Sequence, residues 1–188
     1  MEKKYEFNIT SDGQKVFRIL LDCLANSGRL ENLGEYIEKF PKDGDWYALA
    51  VTLLDGEVTY YTNGSKETKQ DIEFLTGACF AEPENADFVF LQEYVSPHKL
   101  VTQVKCGTFE NPHNSATIVI KGGDEVDTEV VFHGVGVPPE GRKMMISKRE
   151  LEWIQARNQV AWEYPCGIDL LFLRDDGTLF AVSRKAGI

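Results

Sequence analysis

The chain of 188 residues lacks the spacing patterns that identify common catalytic and metal sites. Its four cysteines and three histidines are scattered, so no Cys-x-x-Cys pair and no Cys/His cluster predicts a zinc or redox centre. It contains no Gly-Lys-Ser/Thr phosphate loop, no serine-nucleophile elbow and no lysine in a recognisable cofactor motif. The motifs therefore predict no catalytic residue, no metal site and no cofactor.

Basic residues are also scarce, because 20 of them face 30 acidic residues and leave a net charge of −10. This balance argues against a nucleic-acid groove, which needs a basic surface, although a local basic pocket stays open. No apolar run approaches the length of a membrane-spanning helix, and residues 1–7 are charged rather than an apolar signal core. We expect a cytoplasmic protein that binds neither nucleic acid nor membrane.

The segment from Tyr164 to Arg184 carries the clearest structural pattern. Residues 168–173 are apolar on both faces of a predicted strand, which is typical of a strand covered on both sides within a sheet. Residues 175–177 read Asp-Asp-Gly, a strong hairpin signal, and residues 179–184 return as a second strand. The sequence therefore predicts a buried hairpin that begins through Pro165 and Gly167.

Asp169 interrupts this apolar strand with a carboxylate, which is costly to bury without partners. One interpretation is structural: the carboxylate accepts hydrogen bonds from a neighbouring backbone or pairs with an arginine. The other is catalytic, and the position at the start of the strand weighs against it, because ligands of open α/β sheets bind beyond the carboxyl ends of strands.

The rest of the chain alternates predicted helices and strands. A helix with a Ser11/Gln14 capping box is followed by helices over Trp46–Leu54, Ser65–Leu75, Ser96–Gln103 and Ser147–Trp162. Strands are predicted near residues 58–61, 78–80, 87–91, 116–120 and 129–132, with a glycine-rich acidic turn, residues 122–124, joining the last two. The pattern predicts a single α/β domain over residues 1–188 with a mixed sheet.

Several residues are candidates for binding an anion. Gly134 and Gly136 follow a strand, as phosphate-binding glycines do, but two prolines follow in place of a helix, so a structural turn is the alternative. His133 lies beside this turn. Arg29 follows the first helix, and Arg142 and Arg184 are further cations that could contact a phosphorylated ligand.

One run of residues resembles a known family. Pro165-x-Gly167-x-Asp169, an apolar strand and then Leu179-x-Ala181-x-x-Arg184 resemble the PhnH family, subunits of the bacterial carbon–phosphorus lyase core complex. Phe17-Arg18-x-x-Leu21, Gly28 and Gly134-x-Gly136 are similar to further family motifs. The chain departs from the family at Ser27, where the family has proline, and at Ser183-Arg184-Lys185-Ala186, where it commonly has Pro-Arg-Thr-Thr.

The resemblance implies a three-layer sandwich, a mixed sheet flanked by helices, similar to the pyridoxal-phosphate-dependent transferases but without the cofactor site. It implies an accessory subunit with PhnG-, PhnI-, PhnJ- and PhnK-type partners, and a homodimer when isolated. That complex is of the ribose 1-methylphosphonate 5-triphosphate synthase type: it attaches a phosphonate to ribose C1 of ATP, chemistry attributed mainly to the PhnI-type subunit, before the carbon–phosphorus bond is cleaved.

Two functions therefore stay open at the level of sequence. The first is the accessory, non-catalytic subunit of a phosphonate-degrading complex that the resemblance implies. The second is a free-standing enzyme or binder of a small phosphorylated molecule, which would use the glycine turn with His133, Arg142 or Arg184.

Overall fold

The computed structural model describes residues 5–123 and 125–188, so the predicted acidic turn lies partly outside the described residues, at Asp124. The helices are α1 (Ser11–Ala25), α2 (Gly34–Ile37), α3 (Gly44–Leu53), α4 (Lys66–Thr76), α5 (Pro97–Val101) and α6 (Lys148–Gln159). The strands are β1 (Glu31–Asn32), β2 (Thr59–Thr62), β3 (Cys79–Phe80), β4 (Phe88–Leu91), β5 (Thr117–Lys121), β6 (Val126–Gly134), β7 (Arg142–Ser147), β8 (Asp169–Leu173), β9 (Thr178–Val182) and β10 (Ala186–Gly187).

A seven-stranded sheet forms the centre of the fold, in the order β1-β9-β8-β5-β4-β2-β3. The five strands from β8 to β3 in this order are parallel neighbours, and β9 and β1 extend the sheet in antiparallel pairing. The predicted α/β class with a mixed sheet is confirmed. The arrangement places the last hairpin of the chain beside β5, inside the sheet rather than at its edge.

Both faces of the large sheet are covered. Helices α1 to α4 pack on one face, against residues such as Phe90, Val119 and Leu171. Helices α5 and α6 and a second, smaller sheet pack on the other face, against Leu170 and Phe172. Neighbouring residues of β8 thus enter opposite cores, as the run of apolar residues on both strand faces predicts.

The predicted hairpin from β8 to β9 is present, with a tight turn at residues 174–178. The N–H of Arg174 donates to the carbonyl of Thr178 at 2.9 Å, and the Asp176 carboxylate accepts the N–H of Thr178 at 2.8 Å. Gly177 has a φ of 79°, which L side chains rarely adopt. The Asp-Gly pair therefore predicts this turn correctly, because glycine adopts the positive φ that the turn needs.

The second sheet, in the order β10-β6-β7, corrects the sequence analysis. The analysis overlooked β7 and treated the strands now called β5 and β6 as neighbours joined by a turn. In the structure β5 lies between β4 and β8, whereas β6 pairs with β7. Strand β7 does alternate, since Met144 and Ile146 are buried while Lys143 and Met145 are exposed. Its two basic residues and the preceding prolines concealed that pattern.

The predicted capping box at Ser11 is wrong. Thr10 precedes α1, and its side chain makes no capping hydrogen bond. The side chain of Asn8 instead accepts the N–H groups of Thr10 and Ser11 at 3.1 and 2.9 Å. The backbone N–H of Asn8 donates to the Asp12 carboxylate at 2.8 Å. Asn8, three residues before Ser11, therefore supplies the acceptor that the serine cap would have supplied.

Asp87 ties strands together at the amino end of the parallel sheet. Its carboxylate accepts the N–H and the hydroxyl of Thr59, at 2.8 and 2.7 Å, and pairs with Lys105. Burial alone would raise the pKa of Asp87, but the pairing with Lys105 and the hydrogen bonds from Thr59 outweigh it and lower the pKa below the ordinary 3.8. The folded protein therefore favours the ionised form.

This lowered pKa predicts how stability depends on pH. The ionised carboxylate stabilises the fold above the unfolded-state pKa, and this contribution is lost as the pH falls through the lower folded-state value. We expect Asp87→Asn to be less stable at neutral pH and to lose less stability than wild type between about pH 5 and about pH 2. Urea unfolding across that range measures both. Asp127→Asn, at an exposed ion pair with Lys148, is the control, and an unchanged acid limb in Asp87→Asn would contradict the assignment.

Candidate functional site

An open cleft of about 590 Å³ lies between residues 28–30, which follow α1, and strand β7. The cations along it are Arg29, Arg142, Lys143 and Arg174. The exposed apolar residues along it are Leu30, Val126 and Met145. The cleft thus brings together two of the candidates from the sequence, Arg29 and Arg142, and adds two cations that the sequence analysis did not single out.

Arg29 and Lys143 are the accessible cations of the cleft. Arg29 pairs with Glu31 at 2.7 Å, and Lys143 approaches Glu129 at 3.6 Å with 73% of its side chain exposed. Exposed ion pairs of this kind contribute little to stability, about 0–1 kcal/mol, because water and salt screen them. Both side chains can therefore turn towards an incoming anionic group at small cost.

Arg142 has a structural task in the same cleft. Its Nη1 donates to the carbonyls of Asn26 and Ser27, at 2.7 and 2.5 Å, where α1 ends. A cation suits this position because the last carbonyls of a helix lack partners within the helix and carry partial negative charge. Among the described residues no carboxylate forms a hydrogen bond with Arg142, so its positive charge adds to the positive potential of the cleft.

Arg174 and Glu150 form the best-buried ion pair along the cleft, and the sequence analysis missed both. The Nε and Nη2 of Arg174 donate to the two oxygens of Glu150 at 2.8 and 3.0 Å, and Nη2 also donates to the Met145 carbonyl at 3.0 Å. The side chain of Glu150 is fully buried and completes a capping box with Ser147 at the start of α6. The spacing Ser147-x-x-Glu150 is the signal that could have identified it.

The glycine turn packs against the chain itself. Gly134 pairs with Ala186 of β10, and a Cβ on Gly136 would lie 2.0 Å from the Ala25 carbonyl oxygen. Both glycines have positive φ, 111° and 79°. His133 is exposed and pairs with Gly187. The close approach to α1 and β10 explains why glycine is needed here, without a phosphate.

Arg184 and Asp169 hold the start of β8 to the end of β9. The Nη2 of Arg184 donates to Asp169 Oδ2 at 2.6 Å, and its backbone N–H donates to Oδ1 at 2.7 Å. Its Nη1 donates to the Pro112 carbonyl at 2.7 Å. Asp169 begins β8 and Arg174 follows its end, so a whole strand separates this pair from the cleft. Arg184 thus has partners for both terminal nitrogens and does not reach the cleft.

Pro165 and Gly167, the rest of the motif, lead the chain into Asp169 at the start of β8. The Tyr164–Pro165 peptide bond is cis. The N–H of Gly167 donates to the Cys106 carbonyl at 2.8 Å, and a Cβ on Gly167 would lie 3.2 Å from that of Arg184. A glycine at this position therefore lets the arginine approach the strand and reach Asp169.

The described residues include neither a cluster of metal-binding side chains nor a helix that could span a membrane. Over residues 5–123 and 125–188, three or more His, Cys, Asp or Glu side chains nowhere gather in a way that could hold a metal ion. The helices in those same ranges include none that is both long and apolar enough to span a membrane.

Comparison with known proteins gives the chain its family. A search of curated proteins finds no match. The model of one family, described as a bacterial phosphonate metabolism protein, PhnH, matches residues 7–188, nearly the whole chain. The match includes both walls of the cleft and the motif from Pro165 to Arg184. The chain therefore belongs to the PhnH family of bacterial phosphonate metabolism proteins.

Proposed function

We propose that this chain is an accessory subunit of a carbon–phosphorus lyase core complex, supporting attachment of a phosphonate to ribose C1 of ATP. Its partners are subunits of the PhnG, PhnI, PhnJ and PhnK types, it acts in the cytoplasm, and it forms a homodimer when isolated. The proposal treats residues 1–188 as one PhnH-like domain, similar in fold to pyridoxal-phosphate-dependent transferases and without their cofactor. The observation that carries it is the family match over residues 7–188.

The contacts of the candidate arginines support a subunit without a reaction centre of its own. Arg184 bonds to Asp169 and Pro112, Arg142 bonds to carbonyls at the end of α1, and Arg174 bonds to Glu150. Each of these bonds connects segments far apart in sequence. Groups held in this way maintain the fold, so the sequence motif around Arg184 has a structural explanation that needs no substrate.

The exposed apolar side chains support an interaction role. Phe17 and Leu21 lie one turn apart on α1 and are 45% and 49% exposed, and Phe74 on α4 is 89% exposed. Large apolar residues on a surface are typical of contacts with other proteins when they form a patch. Other aromatic residues are not available for such contacts, since Tyr60 and Trp153 are fully buried in the core.

One observation favours the second candidate, a binder of a small phosphorylated molecule. The cleft brings together four cations, Arg29, Arg142, Lys143 and Arg174, in a chain whose net charge is −10. His133 and Arg184, the alternative side chains named for this candidate, do not line the cleft. The accessory subunit is therefore the function that the geometry supports better.

Co-expression with PhnG-, PhnI- and PhnJ-type subunits tests the proposal. We expect a tag on this chain to capture those subunits in a stoichiometric complex, and light scattering to show a dimer for the isolated chain at micromolar concentration. An active complex that assembles from the other subunits and excludes this chain would refute the subunit role. Tight binding of a phosphorylated metabolite by the isolated chain would then favour the second candidate.

A further inference from the structure

Strand β7 presents an unpaired backbone edge to the cleft. It is the outer strand of the order β10-β6-β7, and among the described residues no strand pairs with its far side. Four consecutive residues, Arg142 to Met145, line the cleft. Side chains of a strand alternate between two faces, so a wall made of consecutive residues is the backbone edge itself. Exposed edges of this kind can accept a further strand.

The contacts at the end of β7 show which backbone groups point outward. The Met145 carbonyl accepts a hydrogen bond from Arg174 at 3.0 Å, and the Ser147 N–H donates to Glu150 at 2.7 Å. Both groups point away from β6. Because backbone direction repeats at every second residue of a strand, the N–H and carbonyl of Lys143 also point into the cleft. The edge therefore offers the N–H groups of Lys143 and Met145 and the carbonyl of Lys143.

Charge and apolar surface define the occupant of this edge. Arg29 and Lys143 are exposed cations on opposite walls, and Arg142, which no carboxylate of the described residues contacts directly, adds a further positive charge. Exposed Leu30 and Met145 lie among them. An extended chain with alternating acidic and apolar side chains matches this edge, since its acidic side chains would lie on the same face as exposed Lys143 and its apolar side chains on the same face as buried Met144.

The form of the cleft favours a peptide over a small anion. Its most deeply buried guanidinium, that of Arg174, is already bonded to Glu150 and to the Met145 carbonyl. The remaining positive charge is divided between the two walls, with Arg29 on one and Arg142 and Lys143 on β7, whose four residues along the cleft extend about 13 Å. A small anion would be enclosed by converging donors, whereas this cleft is open and follows a strand.

We propose that the outer edge of β7 binds an extended acidic segment of a partner protein as a fourth strand of the small sheet. The backbone groups of Lys143 and Met145 pair with the segment, and Arg29 and Lys143 meet its carboxylates. The inference rests on the proposed subunit role, since a partner protein must supply the segment. It adds to that role the surface and the chemistry of the contact.

A peptide probe tests the edge separately from the subunit role. A fluorescent peptide of alternating Glu and Val, about eight residues long so that it exceeds the strand, is titrated with the full chain at low salt. We expect saturable binding that weakens about tenfold or more in Arg29→Glu/Lys143→Glu, because reversing exposed charges repels an acidic ligand. Lys148→Glu is the matched control, since Lys148 is 84% exposed and does not line the cleft.

Three further results decide the proposal. N-methylation of alternate peptide residues should abolish binding, because it removes the backbone donors that a fourth strand needs. A peptide of alternating Lys and Val should not bind. The proposal would be overturned if the Glu/Val peptide did not bind, or if the N-methylated or the Lys/Val peptide bound equally well. Full displacement of the Glu/Val peptide by millimolar inorganic phosphate would also overturn it, in favour of a small anion.

Co-purification tests the edge proposal and the subunit role separately. If Arg29→Glu/Lys143→Glu keeps its wild-type unfolding temperature but loses the partner subunits, the edge is the docking surface. If the variant captures the partners as well as wild type does, the edge proposal fails while the subunit role stands. If wild type captures no partner, the subunit role fails, and the peptide titration still decides whether the edge binds an acidic strand.

Discussion

Replacing Glu150 with alanine should lower the free energy of unfolding by about 3–5 kcal/mol, the usual cost of removing one partner from a buried ion pair. Arg174 would keep its charge at a site where only 11% of its side chain is exposed, and it would lose both carboxylate bonds. The Ser147 N–H would lose its acceptor at the start of α6. Equilibrium unfolding in urea, monitored by tryptophan fluorescence, measures the difference.

Matched variants separate these contributions. Glu150→Gln keeps an oxygen for the Ser147 N–H and loses the charge, so its stability should lie between wild type and Glu150→Ala. Glu129→Ala removes a glutamate from an exposed pair with Lys143 and should change stability by less than about 1 kcal/mol. If Glu150→Ala were as mild as Glu129→Ala, the buried pair would not stabilise the cleft wall as described.

Asp169→Ala is the second large effect, with an expected loss of about 2–3 kcal/mol, because it leaves a mostly buried arginine and a backbone N–H without their acceptor. The carboxylate is 15% exposed and the Arg184 side chain 22% exposed. The change should also loosen the contact between Arg184 and the Pro112 carbonyl, which fixes the loop before β5. Urea unfolding again measures the loss.

The control for Asp169 distinguishes a structural from a functional carboxylate. Asp127→Ala removes an aspartate that is half exposed and should leave stability nearly unchanged. Asp169→Ala with wild-type stability, in a complex that assembles but has lost activity, would contradict the structural assignment. The carboxylate would then belong to a reaction centre that forms only when the subunits assemble.

Local patterns predicted the parts of the fold that depend on local chemistry. The apolar residues on both faces of the predicted strand, with the Asp-Gly turn, predicted the β8–β9 hairpin, and Ser65 predicted the start of α4, where its side chain accepts the Thr68 N–H. Pairing between strands was harder, because it depends on which distant segment completes a core. The strand β7 was therefore missed, and with it the second sheet.

The candidate site shows the same limit. Arg29 and Arg142 could be listed from the sequence as cations, but their meeting at one cleft depends on α1 ending beside β7. His133 and Arg184 were grouped with them and lie elsewhere, since their positions follow from β10 and from the start of β8. The Ser147-x-x-Glu150 spacing could have identified Glu150, but its pairing with Arg174 went unnoticed because a buried pair 24 residues apart leaves no periodic signal.

Two departures from the family motifs are in contact. Ser27 and Ser183 stand where the sequence analysis places prolines in the resembled family, and their hydroxyl groups lie 3.0 Å apart. The Ser183 N–H also donates to the Ser27 hydroxyl at 3.0 Å, a bond that a proline at residue 183 could not form. The two serines therefore bond to each other although 156 residues separate them in sequence.

Growth on a phosphonate as the sole phosphorus source tests the central claim most directly. The host is a bacterium that normally uses phosphonates but whose own gene of this family has been deleted. Growth on inorganic phosphate is the control. We predict that the host grows on the phosphonate only when this chain is supplied, and that growth fails with any folded variant that no longer joins the complex. Growth without the chain, or full growth with a variant that stays outside the complex, would contradict the account.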